Sequence, residues 1–518
     1  MNATAISILN DVLGPVMRGP SSSHTAGSYH IARLARDLLG DEPRAATFTF
    51  DPDGSYFQVY RQQGSDLAFA AGLMGWDIAD DRFDRALAHA AADGIEIAFE
   101  DRELPGADHP NCVQIAVASR RGRTLHAMAK STGGGGIVLS SLEGWPVHLT
   151  GNAHVLALEG DASVEDEARE VMAGPGSAPA ALERRTDADR VLLLRRGLEP
   201  VNPDDVARLD ALPGVSQVWS ARPLFFLKPG RPLFDNAGDM VALAERRGCS
   251  LGELALAYEA ELLGKPAGEV AAEITRRYRI MGDSVSRGLD DDAVRMHLLR
   301  PSAAKVLRAE ADGGVAVGGL HTRAAGRALA AMHTNCSGGV VCAAPTGGAA
   351  GVLPGVLVTL AEERGLSEAQ AITALLAAGA IGLIVATRAT FAAEVAGCQV
   401  EIGAAGAMAA AAVVETAGGS ARQACDAAAI ALQNAMGSVC DLVQGIVEIP
   451  CHTRNAAAAS SAFVCADLVL GGYENDVPLD ETIDAVRDAG AMLPPELRCT
   501  ARGGLALAPS ARNMQRLK

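Results

Sequence analysis

Two hydrophobic periods divide this chain. In the first 226 residues, short alternating runs recur: TFTFD (47–51), IEIAF (95–99) and VQIAVASR (113–120) carry apolar residues at every second position, as a half-buried strand does. Between them HIARLARDLLG (30–40) and FDRALAHAAAD (83–93) space their apolar residues three and four apart, the period of a helix with one buried face. Residues 1–150 are therefore expected to form an α/β domain. Residues 151–226 read β-α-β-β-α-β: strands HVLALEG, AALERR, DRVLLLRR and VSQVWSARPLFF, with helices SVEDEAREVMA and NPDDVARLDAL opened by the capping residues Ser163 and Asn202. That order predicts a ferredoxin-like segment, an architecture shared by small amino-acid-binding modules and by plain structural spacers. After the proline-rich FLKPGRPLF (226–234) the period changes. From 235 to 518 segments such as GELALAYEAELLG, AAGRALAAMH and ARQACDAAAIALQNAMG predict an all-α bundle cut by glycine-rich turns. The expected class is thus multidomain, with three units in the order α/β, ferredoxin-like, all-α.

Composition narrows what such a chain can do. At 518 residues it is too long for one core. With 49% apolar but only 4% aromatic residues and 56 glycines, it reads as well packed through small side chains. The net charge of −17, with no cluster of Lys and Arg, argues against nucleic acid as a partner. AITALLAAGAIGLIVA (371–386) is too short and too rich in Gly and Ala for a membrane span and is expected inside the bundle. The start, MNATAISILNDVLGPVMRG, lacks the charged onset and apolar core of a signal peptide. A cytoplasmic protein with ten reduced cysteines, and no membrane partner, is expected.

Candidate chemistry falls in three places. Cys398 (AGCQVEIG), Cys440 (GSVCDLVQG) and Cys451 (VEIPCHTRN) each sit at a turn marked by Gly or Pro and precede a polar residue. Three converging thiolates suit a metal centre with one position left open; the other reading is three small core residues, which fits Cys249, Cys342, Cys425 and Cys465 in their apolar runs. GPSSSHTAG (19–27) places Ser21, Ser22, Ser23, His24 and Thr25 just before a helix, a cradle for a carboxylate or phosphate and more than one N-cap needs. HTNCSGG (333–339) and APTGGAAGVLPG (344–355) add Asn335, Ser337, Thr346 and Gly347, and GGLHTRAAGR (318–327) adds His321. Such residues can hold an amino acid's carboxylate and ammonium, or simply make turns.

With these motifs in order, the chain resembles the iron–sulfur-dependent L-serine dehydratases over nearly its whole length. GPSSSHTAG, HPNCVQIAV (109–117) and STGGGG (131–136) are similar to that family's β portion. APTGGAAGVLPG, GCQVEIG, the run CDLVQGIVEIPCHTRN (440–455) and TARGGLA (500–506) are similar to its α portion. The resemblance implies a fused single chain whose helical domain is catalytic. It also implies a [4Fe–4S] cluster on Cys398, Cys440 and Cys451, and L-serine, or a similar hydroxy-amino acid, as the small-molecule substrate. In the implied reaction the open iron polarises the β-hydroxyl, a base takes the Cα proton, and pyruvate and ammonia follow. The Ser21–Thr25 loop, Asn335, Ser337, Thr346 and Gly347 would bind substrate, and the family's pairing of subunits implies a homo-oligomer, a dimer. Pyridoxal phosphate, the other route to this reaction, needs a Schiff-base lysine. Only Lys305 and Lys518 follow residue 265, and no PLP is expected.

Departures from the family pattern leave one role open. Where relatives carry Gly-His-Gly-Thr-Asp, this chain has Gln62-Gln63-Gly64-Ser65-Asp66, so the base is sought among His24, His109, His321 and His452. Leu442 and Gln444 replace Pro and Ala after Cys440, which keeps threonine, another hydroxy-amino acid or cysteine open as substrates. A cluster-bearing sensor without turnover is a further reading. Cys499 and Cys336 are the other thiols near these motifs.

Overall fold

The computed structural model describes residues 5–173 and 182–517. The first four residues of the N-terminal stretch, the opening of AALERR and the terminal Lys518 lie outside it. Mixed sheet and helix fill the first 226 residues, and helices dominate thereafter.

The N-terminal segment does not pack with the sheet that follows it. Ile8, Leu9, Val12 and Leu13 are buried in the core of the helical part. Glu259, on helix Leu251–Leu263, accepts hydrogen bonds from the Ser7 hydroxyl (2.5 Å) and from the N–H groups of Ile8 (2.8 Å) and Leu9 (3.0 Å). These donors open a helical turn and have no partner within it, so a buried carboxylate supplies one. Strand β1 (Val16–Arg18) then pairs antiparallel with β12 (Val340–Cys342). The loop that follows β1 is thereby anchored to the helical part before the α/β unit begins.

That unit is a six-stranded sheet. Strands β2 (Pro43–Phe50), β3 (Glu96–Asp101), β4 (Cys112–Ser119), β5 (Thr124–Gly133), β6 (Gly136–Leu142) and β7 (Trp145–Leu149) are arranged in the order β3-β2-β4-β5-β6-β7. Only the β2–β3 pair is parallel. Phe48 and Phe50 of β2 point to one face, as period-two alternation dictates, and stack with Phe69, Phe99 and Tyr56. Helix Gly27–Leu39 buries Ile31, Leu34, Ala35 and Leu38 against the same core.

Strands β8 (His154–Asp161), β9 (Glu183–Asp187), β10 (Arg190–Gly197) and β11 (Val215–Ala221) form a second, antiparallel sheet in the order β11-β8-β10-β9. Its unbroken apolar runs make sense because both faces are covered. Leu156, Leu158, Val191 and Leu193 pack under helices Glu165–Ala173 and Pro203–Asp210, whereas Val155, Ala157, Leu192, Leu194 and Trp219 join the core of the first sheet. Asn202 caps its helix as expected, its side chain accepting from Asp204 N (3.0 Å); Ser163 instead lies inside a single turn, Ala162–Val164, that leads into the helix.

In the helical part, the pattern Ser-x-x-Glu/Gln marks three helix starts as reciprocal caps: Ser250/Glu253, Ser367/Gln370 and Ser420/Gln423. Two helical runs, Glu368–Arg388 and Cys398–Thr416, are long and apolar enough to cross a membrane, but 72% and 89% of their apolar windows are buried among neighbouring helices. The stretch 371–386 is therefore a core helix of the bundle. Two short parallel strands close this part, β13 (Cys440–Asp441) and β14 (Arg498–Thr500).

Candidate active site and thiol cluster

The hydroxyl-rich loop forms one buried turn, Ser22–Ala26, that runs directly into helix Gly27–Leu39. Ser21 caps it, accepting from His24 N (3.1 Å), and the Thr25 hydroxyl donates to the carbonyl of Gln63 (2.7 Å). A side chain at Gly27 would place its Cβ 2.4 Å from the Ser131 hydroxyl, so β5 and the loop meet only because this residue is glycine.

His24 is fully buried at the centre of this turn. Its Nδ1 lies 3.1 Å from the Ser23 hydroxyl and 3.4 Å from Glu394 Oε1; its Nε2 lies 3.2 Å from the Ser55 hydroxyl; Tyr56 packs edge-on against the ring. Ser23 also donates to Glu394 (2.5 Å), which sits on the short helix Ala393–Ala396 just before Cys398. Burial holds the His24 imidazole below its ordinary value, against the opposing pull of Glu394. Burial alone would raise Glu394, but His24, the Ser23 hydroxyl and His109 keep its carboxyl below its usual range. The result is a neutral imidazole oriented by a carboxylate.

The three cysteines arrive from three elements. Cys398 opens the turn Cys398–Val400, Cys440 begins β13, and Cys451 begins helix Cys451–Leu470. The sulfurs of Cys398 and Cys440 and a Glu401 oxygen lie within 4.8 Å of one another. The Cys451 thiol is pushed up by burial, then by Cys398 and Glu401 beside it. Burial and the neighbouring Glu394 raise Glu401 to about 8. Arg454 donates to Cys398 Sγ (3.6 Å), Val439 O (2.7 Å) and Asp441 Oδ1 (3.0 Å), and Asp441 also accepts from Leu505 N (2.7 Å) in the TARGGLA turn. Buried soft donors gathered beside one guanidinium fit a thiolate-bound metal, which would replace their protons.

Asn335 and the Thr346–Gly347 turn bridge these two halves. Asn335 Nδ2 donates to Pro20 O (2.9 Å) in the hydroxyl-rich loop and to Gly347 O (3.0 Å). A Cβ on Gly347 would lie 2.9 Å from Ser22 N, so glycine is needed where the loops touch. Around them, Asn335 Oδ1, Thr346 Oγ1, Gln63 Oε1, Ser131 Oγ and both amide atoms of Asn111 are buried without a hydrogen-bond partner. Orphans of this kind mark a place where a polar ligand or water belongs.

The remaining sequence candidates separate. His109 is half-buried, accepts from Asn111 N (3.1 Å), and is held low by burial against the opposing charge of Glu394, which places it at the edge of the His24 group. His321 bonds Ser460 O (3.2 Å) and packs on Phe463, away from both groups. His452 follows Cys451 but turns to Glu448 O (3.0 Å) and the His333 ring; burial pushes it down to about 3. The Ser337 hydroxyl accepts from Arg295 N (2.9 Å) at the end of its helix and is not directed at the loop. The sequence reading missed Glu394, Glu401, Ser55, Tyr56 and Arg454. A signal existed for the first two: they are the only charged residues between 389 and 414, in an otherwise Ala- and Gly-rich stretch.

A buried imidazole–carboxylate pair, a thiol cluster that could hold a metal, and unpaired polar atoms between two parts of the chain are the features of an enzyme's active site. Comparison with known proteins gives the family. Residues 246–506 match the family model described as serine dehydratase alpha chain, and the chain belongs to this family. It is 36% identical over 284 residues to the probable L-serine dehydratase alpha chain of Bacillus subtilis, covering 55% of this chain and 95% of that one. The L-serine dehydratase alpha chain of Peptoniphilus asaccharolyticus is 33% identical over 285 residues (55% and 98%). The chain is also 40% identical over 142 residues to the probable L-serine dehydratase beta chain of Bacillus subtilis, covering 27% of this chain and 63% of that one. One chain thus carries sequence similar to both.

Proposed function

We propose that this protein is an ammonia-lyase that converts L-serine to pyruvate and ammonia, with its site between the Ser21–Thr25 loop and the cysteines. The observation that carries the reading is the His24–Glu394 pair, which is buried, with Glu394 close to Glu401 beside the thiol group.

The substrate carboxylate is received by the loop Ser21–Thr25, through the N–H groups of Ser22 and Ser23 and the Ser22 hydroxyl at its opening turn. Asn335 Oδ1 and Thr346 Oγ1, unpaired in the protein alone, suit the ammonium. His24 is the favoured base. With Nδ1 donating toward Ser23 and Glu394, the Nε2 lone pair accepts from the Ser55 hydroxyl and takes the Cα proton once that hydroxyl turns to the Cys499 carbonyl. Tyr56 and the surrounding apolar residues exclude water from the imidazole. A [4Fe–4S] group held by Cys398, Cys440 and Cys451 would supply a Lewis acid for the β-hydroxyl when bound. Loss of that hydroxyl as water leaves an enamine, which tautomerises and hydrolyses to pyruvate and ammonia. The second sheet has the strand order of a ferredoxin-like unit, first strand central and flanked by the fourth and third, which supports that assignment for 151–226.

Anaerobic purification, iron and sulfide analysis and a pyruvate assay with L-serine test this reading, with threonine and cysteine as competing substrates. Expected are bound iron and sulfide and pyruvate release, both lost on exposure to air and in Cys398→Ala. A protein that binds no iron, or turns over undiminished without it, overturns the metal assignment.

A further inference from the structure

Glu401 has no part in the proposed reaction, yet it stands among the thiols. The turn it shares with Cys398 fixes its place. Glu401 N–H donates to Cys398 O (3.1 Å), and in such a tight turn side chains three apart lie one above the other. Gln399, between them, clamps the turn to the chain entering β13. Its N–H donates to Ser438 O (3.3 Å), and its Oε1 accepts from Gly437 N (2.9 Å). Arg454 adds a third tie across the same gap, donating to Val439 O (2.7 Å) and to Cys398 Sγ (3.6 Å). Cys440 is thereby held against the turn, and the two sulfurs and a Glu401 oxygen all lie within 4.8 Å of one another. Among the described residues, Cys451 is not one of that group. On another side Glu401 meets glycine: a Cβ on Gly348 would stand 3.7 Å from both carboxyl oxygens.

We propose that Cys398, Cys440 and Glu401 form a single-ion site that takes Zn²⁺ in protein not loaded with iron and sulfide. A tetrahedral zinc ion with sulfur at about 2.3 Å and carboxylate oxygen at about 2.0 Å sets its donors about 3.5–3.8 Å apart. The three donors are already gathered to within 4.8 Å, so small side-chain rotations complete the set. Two thiolates and a carboxylate carry three negative charges. The ion and the Arg454 guanidinium at Cys398 supply three positive ones, so the group is neutral once zinc is bound. Binding releases the two thiol protons. Soft sulfur donors favour zinc over magnesium and calcium, and three protein ligands leave the fourth position to water. The ion occupies Cys398 and Cys440 and so excludes a [4Fe–4S] group from the same cysteines. That consequence rests on the reading of those residues in the proposed function; the ion site needs only the three donors.

The experiment titrates Zn²⁺ into full-length protein purified anaerobically and stripped of metal by chelation. Calorimetry should show one tight ion per chain. X-ray absorption at the zinc edge should show two sulfurs and two oxygens, a wild-type measurement that depends on no variant. Losing an outer-shell partner alone costs about 10–100-fold in metal affinity, so Glu401→Gln and Cys440→Ser should each weaken Zn²⁺ by at least about 100-fold. Cys451→Ser should change it by less than about tenfold. Circular dichroism checks that each variant is folded. Three sulfurs at the zinc, unchanged affinity in Glu401→Gln, or no stoichiometric binding overturns the proposal. Zinc-loaded protein should take up iron and sulfide only after the zinc is chelated away. Loading beside bound zinc would instead overturn the assignment of Cys398 and Cys440 to the iron group, leaving the ion site itself standing.

Discussion

His24 carries the heaviest chemical demand in the site, because a buried imidazole must stay neutral to act as a base. Burial holds it below the ordinary histidine value, so the neutral form is present at neutral pH and is lost only as pH falls through that lowered value. The acid limb of kcat/KM for L-serine should therefore lie below about 6.5, the unperturbed histidine value. Glu394 pulls the other way, favouring the protonated ring. Glu394→Gln should shift the limb to still lower pH and lower the plateau, since a weaker base takes the Cα proton; a pH–rate profile of both proteins checks this. His24→Ala should cost roughly 10²–10⁴ in kcat, the range for a positioned general base, with iron content unchanged. Loss of iron in that variant would make His24 a structural residue. Gln63 is buried beside this group with its Oε1 unpaired, so it can bind a polar ligand but cannot titrate.

Among the elements, the N-terminal strap does the most to hold the site together. Ser7–Leu13 has too few residues to fold alone and takes its order from Glu259, which accepts from three donors in one buried place. Glu259→Ala leaves those donors unpaired, and the loss should destabilise the protein by about 3 kcal/mol, read as a lowered midpoint in urea. Because the strap feeds β1 and then the Ser21–Thr25 loop, the same variant should raise KM for L-serine. Gly347 acts at closer range. Gly347→Ala drives a Cβ against Ser22 N and Pro20 O, at 2.9 and 3.0 Å, and should raise KM with a smaller effect on urea stability. The two variants differ in which measurement moves more, and that separates support of the loop from contact within it.

At the scale of the whole molecule, the site is a joint. The sheet part supplies the hydroxyl-rich loop, Ser55, Tyr56 and His109; the helical part supplies Asn335, Thr346, Glu394 and the cysteines. The chain is similar both to an alpha chain and to a beta chain. Residues 1–226 and 235–518 co-expressed as two chains should therefore purify together, held by the strap, by Arg277 donating to the carbonyls of Leu9 and Leu13, and by the loop contact at Gly347. Omitting residues 1–18 from the first piece should abolish that association, as a pull-down would show.

Alternation in β2 and β4 and the spacing of the helix Gly27–Leu39 were legible in the sequence, because strands and helices that bury one face must repeat apolar residues at fixed intervals. The reciprocal caps at Ser250, Ser367 and Ser420 were equally local. The sequence motifs also named Cys398, Cys440, Cys451 and His24, each set in a turn whose glycines and prolines only a demanding backbone requires. What the tertiary structure alone decided was proximity. Glu394 reaches His24 from 370 positions away, Ser55 bonds both His24 and Cys499, and Ile8–Leu13 belongs to the helical core and not to the neighbouring sheet. Likewise His452, one residue from a cysteine of the cluster, turns away because the first turn of its helix aims it at Glu448 and His333. Local pattern records which face of an element is buried; only packing determines what that face meets.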